Sequence, residues 1–377
     1  NVRIETFRME RMQCLYEHEV EYNLSESGVQ PMTLEELLGG EEALRAFLST
    51  EIGYPQSNGS LALREGIASF YPGADPDNVT VVNGGSEANF ITLWTLLEHG
   101  DRLTCMIPNY MQAWGLGRHY GAGTDTFRLR VRQENGRGRW SLDVAELERA
   151  VTTDTRVILV TNPNNPTGSV LSEAEMDAVV AVAKRARAWL VADEIYRGAE
   201  LDRSLTPSFW GRYDKLVVTS GLSKAFGLPG LRIGWVVAPQ RLIEKLWIHH
   251  DYTTLTPGAL SERLASLALN PLRRDAILGR TRAILRRNLP VLEEWIHSHG
   301  ELFDYVPPAA GAIALVKYDL PIRSTALIDR IRKDQSVLLV PGEQLGLGKY
   351  LRFGYGSDVG FMLKGLARID DTLARIR

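Results

Sequence analysis

Lys215-Leu-Val-Val-Thr-Ser-Gly-Leu-Ser-Lys224-Ala-Phe-Gly-Leu-Pro-Gly-Leu-Arg232-Ile-Gly-Trp235 is the stretch from which the rest of the chain is read. Leu216-Val217-Val218 is an apolar, largely β-branched run, the pattern of a short buried strand. At its carboxyl end the chain turns polar and delivers Lys224, after which Gly227, Pro229 and Gly230 punctuate a tight loop. Arg232 follows between Leu231 and Ile233, an odd place for a surface charge. A lysine becomes a nucleophile toward a carbonyl when burial or cationic neighbours lower its pKa. An arginine eight residues on offers a bidentate grip on a phosphate. Taken singly, both are the kind of residue that is ordinarily solvated; the reading rests on their company.

Three further apolar runs repeat the theme. Val79-Thr-Val-Val82 enters Asn83-Gly84-Gly85-Ser86 and then a helical pattern. Glycines let a ligand approach the backbone, and the first N–H groups of a helix lack partners and suit an anion. Val157-Ile-Leu-Val160 ends in Thr161-Asn-Pro-Asn-Asn165-Pro166-Thr-Gly168, whose prolines and amides cannot continue a strand and make a rigid loop. Trp189-Leu-Val-Ala192 ends in Asp193-Glu194-Ile-Tyr196. Helical stretches, such as residues 172–187, separate the strands. The alternation predicts an α/β fold with a mostly parallel central sheet and helices on both faces. Ligands gather outside the carboxyl ends of such strands. Gly85, Ser86, Asn165, Asp193 and Lys224 are therefore expected along one edge of one sheet.

At 377 residues the chain is long enough for two domains. Lys+Arg 43 against Asp+Glu 46 argues against nucleic acid or an anionic membrane as the main partner. Cys14 and Cys105 make neither a disulfide framework nor a zinc site, and His249-His250 lack a third ligand, so no metal is expected. No apolar run approaches the roughly 18 residues of a membrane span. Charges in the first eight residues stand where a signal peptide needs an apolar stretch. A soluble, cytoplasmic setting is expected.

Ser223-Lys224 with Gly227, Gly230, Arg232 and Gly234 resembles the cofactor-lysine signature of the class I/II aminotransferases, the fold type I enzymes that use pyridoxal 5′-phosphate (PLP). The resemblance covers nearly the whole chain in motif order, and it implies PLP as the cofactor and a smaller α+β C-terminal domain. It implies that Lys224 forms the imine and moves the Cα proton, and that Asp193 pairs with the pyridine nitrogen. Asn165 and Tyr196 would bond the phenolic oxygen, and Tyr110, two residues after Pro108, would stack on the ring. Gly85, Ser86 and Arg232 would hold the phosphate. Members commonly carry Ser or Thr where this chain has Gly221, so either Ser220 or Ser223 substitutes there or the phosphate relies more on Ser86, Arg232 and backbone. The segment Tyr54-Pro-x-x-x-Gly59-x-x-x-Leu63-Arg64 resembles the one that reaches a partner subunit's cofactor phosphate, which implies a homodimer with shared active sites and gives Tyr54 that task. In Leu351-Arg352-Phe353-Gly354 the arginine alternates with apolar neighbours as a strand residue aimed into a cleft would, and the family places its substrate α-carboxylate ligand here. Gly28 lies either in an ordinary turn or, as the resemblance implies, against the substrate.

The domains implied are an N-terminal segment over residues 1–38 that crosses the active site, a large PLP-binding domain over 39–270, and a small domain over 271–377. Residues 1–38 lack strong periodicity until a helix start at Thr33-Leu-Glu-Glu36, whose spacing fits a capping box. The charged stretch Arg132–Arg139 reads as a solvated turn. The substrate is a small-molecule amino acid, with Arg3, Arg8, Arg118, Tyr16 and Tyr252 as possible contacts. Transamination is the default chemistry. Segments including Ser25–Val29 and Ser208–Gly211 are similar to a secondary-metabolism subgroup that holds capreomycidine synthase and cysteine S-conjugate-processing enzymes of lincosamide pathways. That keeps β-elimination, a C–S lyase activity, as the alternative.

Overall fold

The computed structural model describes residues 4–202 and 204–376. Its frame is an eight-stranded sheet. In chain order the strands are β1 (Val79–Val82), β2 (Arg102–Ile107), β3 (Gly123–Glu134), β4 (Arg137–Leu142), β5 (Thr155–Thr161), β6 (Trp189–Asp193), β7 (Leu216–Gly221) and β8 (Gly234–Val237). Their spatial order is β1-β8-β7-β6-β5-β2-β3-β4. The run β7-β6-β5-β2-β3 is parallel throughout, while β8 is antiparallel to both neighbours and β4 folds back on β3.

The four apolar runs read from the sequence are β1, β5, β6 and β7, and alternate residues explain why each must lie inside the sheet. Ile158, Val160, Leu190, Ala192, Leu216 and Val218 enter one apolar core. Val157, Leu159, Val191 and Val217 enter a second core on the opposite face. A strand covered on both faces needs no polar side, which is why these segments read as unbroken apolar runs. The helix Gly85–Leu96 closes the second core through Ala88, Ile91 and Leu93.

Two elements depart from the sequence reading. Residues 132–139 are not all turn: only Asn135 and Gly136 turn the chain, both with positive φ (51° and 76°), and the charged flanks pair as strands β3 and β4. An Asn-Gly pair with that geometry is the two-residue hairpin connection. The aperiodic N-terminus contains a nine-residue helix, Arg8–Tyr16, in which Met9 is buried. The capping box at Thr33 and Glu36 is present and opens the short helix Leu34–Leu38.

A second, smaller sheet holds β9 (Phe303–Tyr305), β10 (Ile313–Tyr318), β11 (Val340–Pro341) and β12 (Tyr350–Gly354) in the order β9-β10-β12-β11, all antiparallel. The 28-residue helix Pro271–Ser298 leads into it from the large sheet. The N-terminal segment is tied to this side of the molecule. Tyr22 and Asn23 pair with Val337 and Leu338, and Gly354 N–H donates to the Leu24 carbonyl at 2.7 Å. Farther on, Met32 N–H donates to the Gly227 carbonyl at 3.1 Å, so residues 22–32 run from the small sheet to the Lys224 loop. Among the described residues no helix is long and apolar enough to cross a membrane.

Candidate active site

The carboxyl ends of β1, β2, β5, β6 and β7 open on one cavity of about 470 Å³. Gly85, Ser86, Tyr110, Asn165, Asp193, Tyr196, Ser223, Lys224 and Arg232 all line it. Nine residues singled out from the sequence are thus brought together from five loops. The loops are tied to one another: Asn109, 2% exposed, accepts from the Thr161 hydroxyl at 2.9 Å, and Asn164 donates to the Pro108 carbonyl at 3.1 Å.

Lys224 and Asp193 keep only partial exposure, and it is to this cavity. Burial lowers the pKa of the Lys224 ammonium; Glu26 and Glu10 oppose the shift, while Arg352 and Arg232 add to it. Burial raises the pKa of the Asp193 carboxyl, against hydrogen bonds from Asn89 Nδ2 at 3.0 Å and the Ile195 N–H at 3.1 Å. Asn89 is itself oriented, because its Oδ1 accepts from the Thr219 hydroxyl at 2.7 Å. Burial pushes the Tyr196 phenol up to about 12, so it remains a hydrogen-bond donor across the working range. The Tyr110 hydroxyl donates to Glu10 Oε1 at 2.6 Å, and its ring meets Phe7 edge-on at 4.8 Å.

The helix Gly85–Leu96 points its first turn at the cavity. Gly84 (φ 95°) precedes it, and a Cβ there would run into the Arg232 guanidinium. Arg232 bonds the Ser223 hydroxyl at 3.2 Å and the Pro229 carbonyl at 3.2 Å. Free N–H groups, a cation and two hydroxyls, Ser86 and Ser223, thereby converge at one end of the cavity. The geometry also accounts for Gly221. It pairs with Gly234 across β7 and β8, where a side chain would sit 2.8 Å from the Ile233 carbonyl. Of the two serines beside it, Ser223 lines the cavity, whereas Ser220 is 3% exposed and donates to the Glu194 carbonyl at 3.3 Å.

Arg352, on β12, is 1% exposed and stands behind the cavity wall. Its guanidinium donates to Asn165 Oδ1 at 3.0 Å and to the Ser25 carbonyl at 2.7 Å, and its Nε has no partner. Gly28 does not line the cavity, but a Cβ there would lie 3.3 Å from the Ser223 carbonyl, so the N-terminal segment passes directly over the Lys224 loop. Tyr54 is not brought to this cavity: it is 88% exposed and lines a separate surface hollow with Pro55, Glu262 and Arg263. The other suggested contacts lie elsewhere. Arg118 pairs with Glu5 at 3.3 Å, Tyr16 stacks against Arg332 and Tyr252 is 81% exposed. Arg8 lines neighbouring hollows, and Arg3 lies outside the described residues. His250 is buried against Glu87 at 3.0 Å and Thr254 at 3.0 Å.

Several lining residues were not singled out from the sequence: Met9, Glu10 and Gln13 of the N-terminal helix and Glu17 at its C-cap, then Glu26, Asn89 and Gln112. Asn89 had a signal, a polar residue inside the apolar run Ala88–Leu93 and three positions after Ser86. The carboxylates had none.

Residues 40–369 match the model of the family described as aminotransferase class I and II. The chain belongs to that family. Its relatives include capreomycidine synthase of Streptomyces vinaceus, 28% identical with 93% of this chain and 89% of that one covered. The putative aminotransferase YugH of Bacillus subtilis is 27% identical, covering 86% and 85%. Among solved structures, a PLP-dependent aminotransferase from Streptococcus suis superposes with a TM-score of 0.91 at 29% identity, covering 100% and 99%. The PLP-dependent cyclase OrfR gives 0.87 at 28%, covering 99% and 98%.

The cofactor of this class I/II family member is pyridoxal 5′-phosphate. The residues present fit it. The Gly84–Gly85 turn, which a side chain would fill, and Arg232 suit a phosphate, while the buried Asp193 carboxylate, held by two donors, lacks a cationic partner among the described residues.

Proposed function

We propose that the protein acts at Cα of an amino acid and is an aminotransferase. The observation that carries this reading is that Lys224 and Asp193, from separate strand ends, face one cavity whose wall holds Arg352. Bound PLP supplies an electron sink that lowers the barrier to breaking a bond at the substrate Cα. In this reading Lys224 holds the cofactor and then, with its pKa lowered by burial, moves the Cα proton. Asp193 keeps the pyridine nitrogen protonated, with Asn89 orienting it. Tyr196 and Asn165 hydrogen-bond the phenolic oxygen, and Tyr110 covers the ring face. Ser86, Gly85, Ser223 and Arg232 hold the phosphate. Arg352, whose Nε has no partner, takes the substrate α-carboxylate, and Gly28 lets the N-terminal segment close over the bound amino acid.

The second reading is β-elimination, a PLP-dependent C–S lyase. It is favoured by the similarity to a synthase and a cyclase rather than to aminotransferases alone. One assay separates the two: the enzyme receives an amino acid with a keto acid acceptor, and separately a cysteine S-conjugate. Amino-group exchange without pyruvate or thiol is the expected result; pyruvate and free thiol without an acceptor would replace the first reading with the second.

We also read the assembly as a homodimer. Leu48, Ile52, Tyr54 and Tyr252 expose 73–88% of their surface, and a partner subunit would cover them. Tyr54 then serves the partner subunit's cofactor phosphate. A monomeric mass in solution by light scattering would remove this part. The division into domains over 39–270 and 271–377, with residues 1–38 bridging them, and a cytoplasmic setting belong to the same proposal.

A further inference from the structure

The cavity has more negative charge than the cofactor and an α-amino acid need. PLP brings a phosphate for Arg232, a pyridine nitrogen for Asp193 and an aldehyde for Lys224, and an amino acid brings a carboxylate for Arg352. Three lining carboxylates are then left over: Glu10, Glu17 and Glu26. Among the described residues no lysine or arginine pairs with any of them. Glu10 accepts from the Tyr110 hydroxyl, and Glu17 lies 3.5 Å from the 91%-exposed His18. All three come from the N-terminal segment, on the side of the cavity facing the cofactor loops. Glu17 and Glu26, with Pro229, also line an adjoining cavity of about 390 Å³, so they stand where the two spaces meet. Arg352, 1% exposed with its Nε unpartnered, bonds Asn165, the Ser25 carbonyl next to Glu26 and the Met9 sulfur next to Glu10, so Glu10 and Glu26 flank it without an ion pair.

We propose that Glu10, Glu17 and Glu26 receive the side chain of the substrate, and that this side chain ends in a cation, a guanidinium or an ammonium. A carboxylate prefers such a group because a charge-assisted hydrogen bond is about twice as strong as one between neutral groups. The inference rests on the reading of this cavity as an amino-acid site and adds the class of amino acid.

The test uses the PLP-loaded enzyme titrated with L-arginine, L-lysine, L-norleucine and L-glutamate, each followed by the change in the visible band, which reports binding rather than turnover. L-arginine or L-lysine is expected to saturate at least about tenfold below L-norleucine, and L-glutamate not to saturate, since one hydrogen bond to a charged group is worth about ten- to a hundredfold. Comparing the first two amino acids tells guanidinium from ammonium. In Glu17→Gln and Glu26→Gln the ratio of L-norleucine to cationic-ligand dissociation constants falls toward one. Equal affinity for L-norleucine, tighter binding of L-glutamate, or Gln variants that move every ligand's constant alike would overturn the proposal. The last outcome would mean that the carboxylates act only on the field around Lys224. A protein that takes up PLP with no visible band would remove the amino-acid-site reading itself, a failure distinct from a band present without preference for cations.

Discussion

Replacing Asp193 by Asn separates what the site costs the fold from what it does for the cofactor. The carboxylate stands at the end of β6, largely enclosed but partly open to the cavity, with Oδ2 on Asn89 Nδ2 and Oδ1 on the Ile195 N–H. An asparagine keeps the second bond. The first is rebuilt if Asn89 flips, because the Thr219 hydroxyl, now a donor to Asn89, is equally able to accept from it. The substitution therefore removes a charge without leaving a buried orphan. Without cofactor, burial raises the pKa of Asp193 above its unfolded value. This group's contribution is therefore most favourable below the unfolded pKa and is lost as pH rises through the folded one. At neutral pH the cofactor-free Asn variant should be the more stable, by about 1–3 kcal/mol for one poorly compensated buried charge. That is about 1–4 °C in Tm for a chain of this size, and the advantage should vanish near pH 4. PLP affinity should move the other way: one charge-assisted hydrogen bond of about 1.5–3 kcal/mol is about a 10- to 150-fold rise in Kd. Thermal unfolding of the cofactor-free forms across pH and a PLP titration measure both. A variant that is less stable at neutral pH, or that binds PLP as well as the parent, would refute the reasoning.

Asn89→Leu keeps the volume but removes the donor to Asp193 and the acceptor for Thr219; PLP Kd should rise about tenfold, with about 1–3 kcal/mol lost in urea unfolding. Gly84→Ala should weaken PLP binding at least about tenfold, since the methyl enters the Arg232 guanidinium and the backbone there (φ 95°, ψ 159°) is essentially restricted to glycine, a strain of about 1–3 kcal/mol; an unchanged PLP Kd would contradict the cradle. Outside the cavity, burial would raise the pKa of the Glu343 carboxyl, but bonds from Thr325, Arg323 and Ser324 outweigh it and hold the group at about 2, from 4.5. Its stabilisation, about 3 kcal/mol at 1.36 kcal/mol per unit, is present above pH 4.5 and lost on the way down to pH 2. Glu343→Gln should accordingly destabilise at pH 7 and match the parent near pH 2.

What was legible in the sequence was what a two-sided core demands. The runs at the centres of strands β1, β5, β6 and β7 are apolar on both faces but for the buried Thr80, and the polar ends named the site. Less was legible where the signal was mixed. In β3 and β4 the arms around Asn135-Gly136 are charged because that end of the hairpin is solvated, so they read as loop. The helix Arg8–Tyr16 buries only Met9 and has a weak apolar face, Met9 and Met12, among charged residues, yet it and its C-cap bring Glu10, Gln13 and Glu17 to the cavity. Strand β8 is four residues long and antiparallel, and the reading of Lys215–Trp235 carried no strand there. Arginines such as Arg8 and Arg118 look alike in sequence whether they face substrate or solvent, and only packing separates them.

The central claim is that the Lys224 amine, beside Asp193, holds the cofactor covalently. Purified with PLP, the protein should carry a visible band that borohydride reduction fixes to a single peptide containing residue 224. In Lys224→Ala the folded protein should keep its PLP affinity within reach of titration but lose that fixed label. A label on any other lysine, or a band that survives reduction and dialysis unchanged in the alanine variant, would contradict the account.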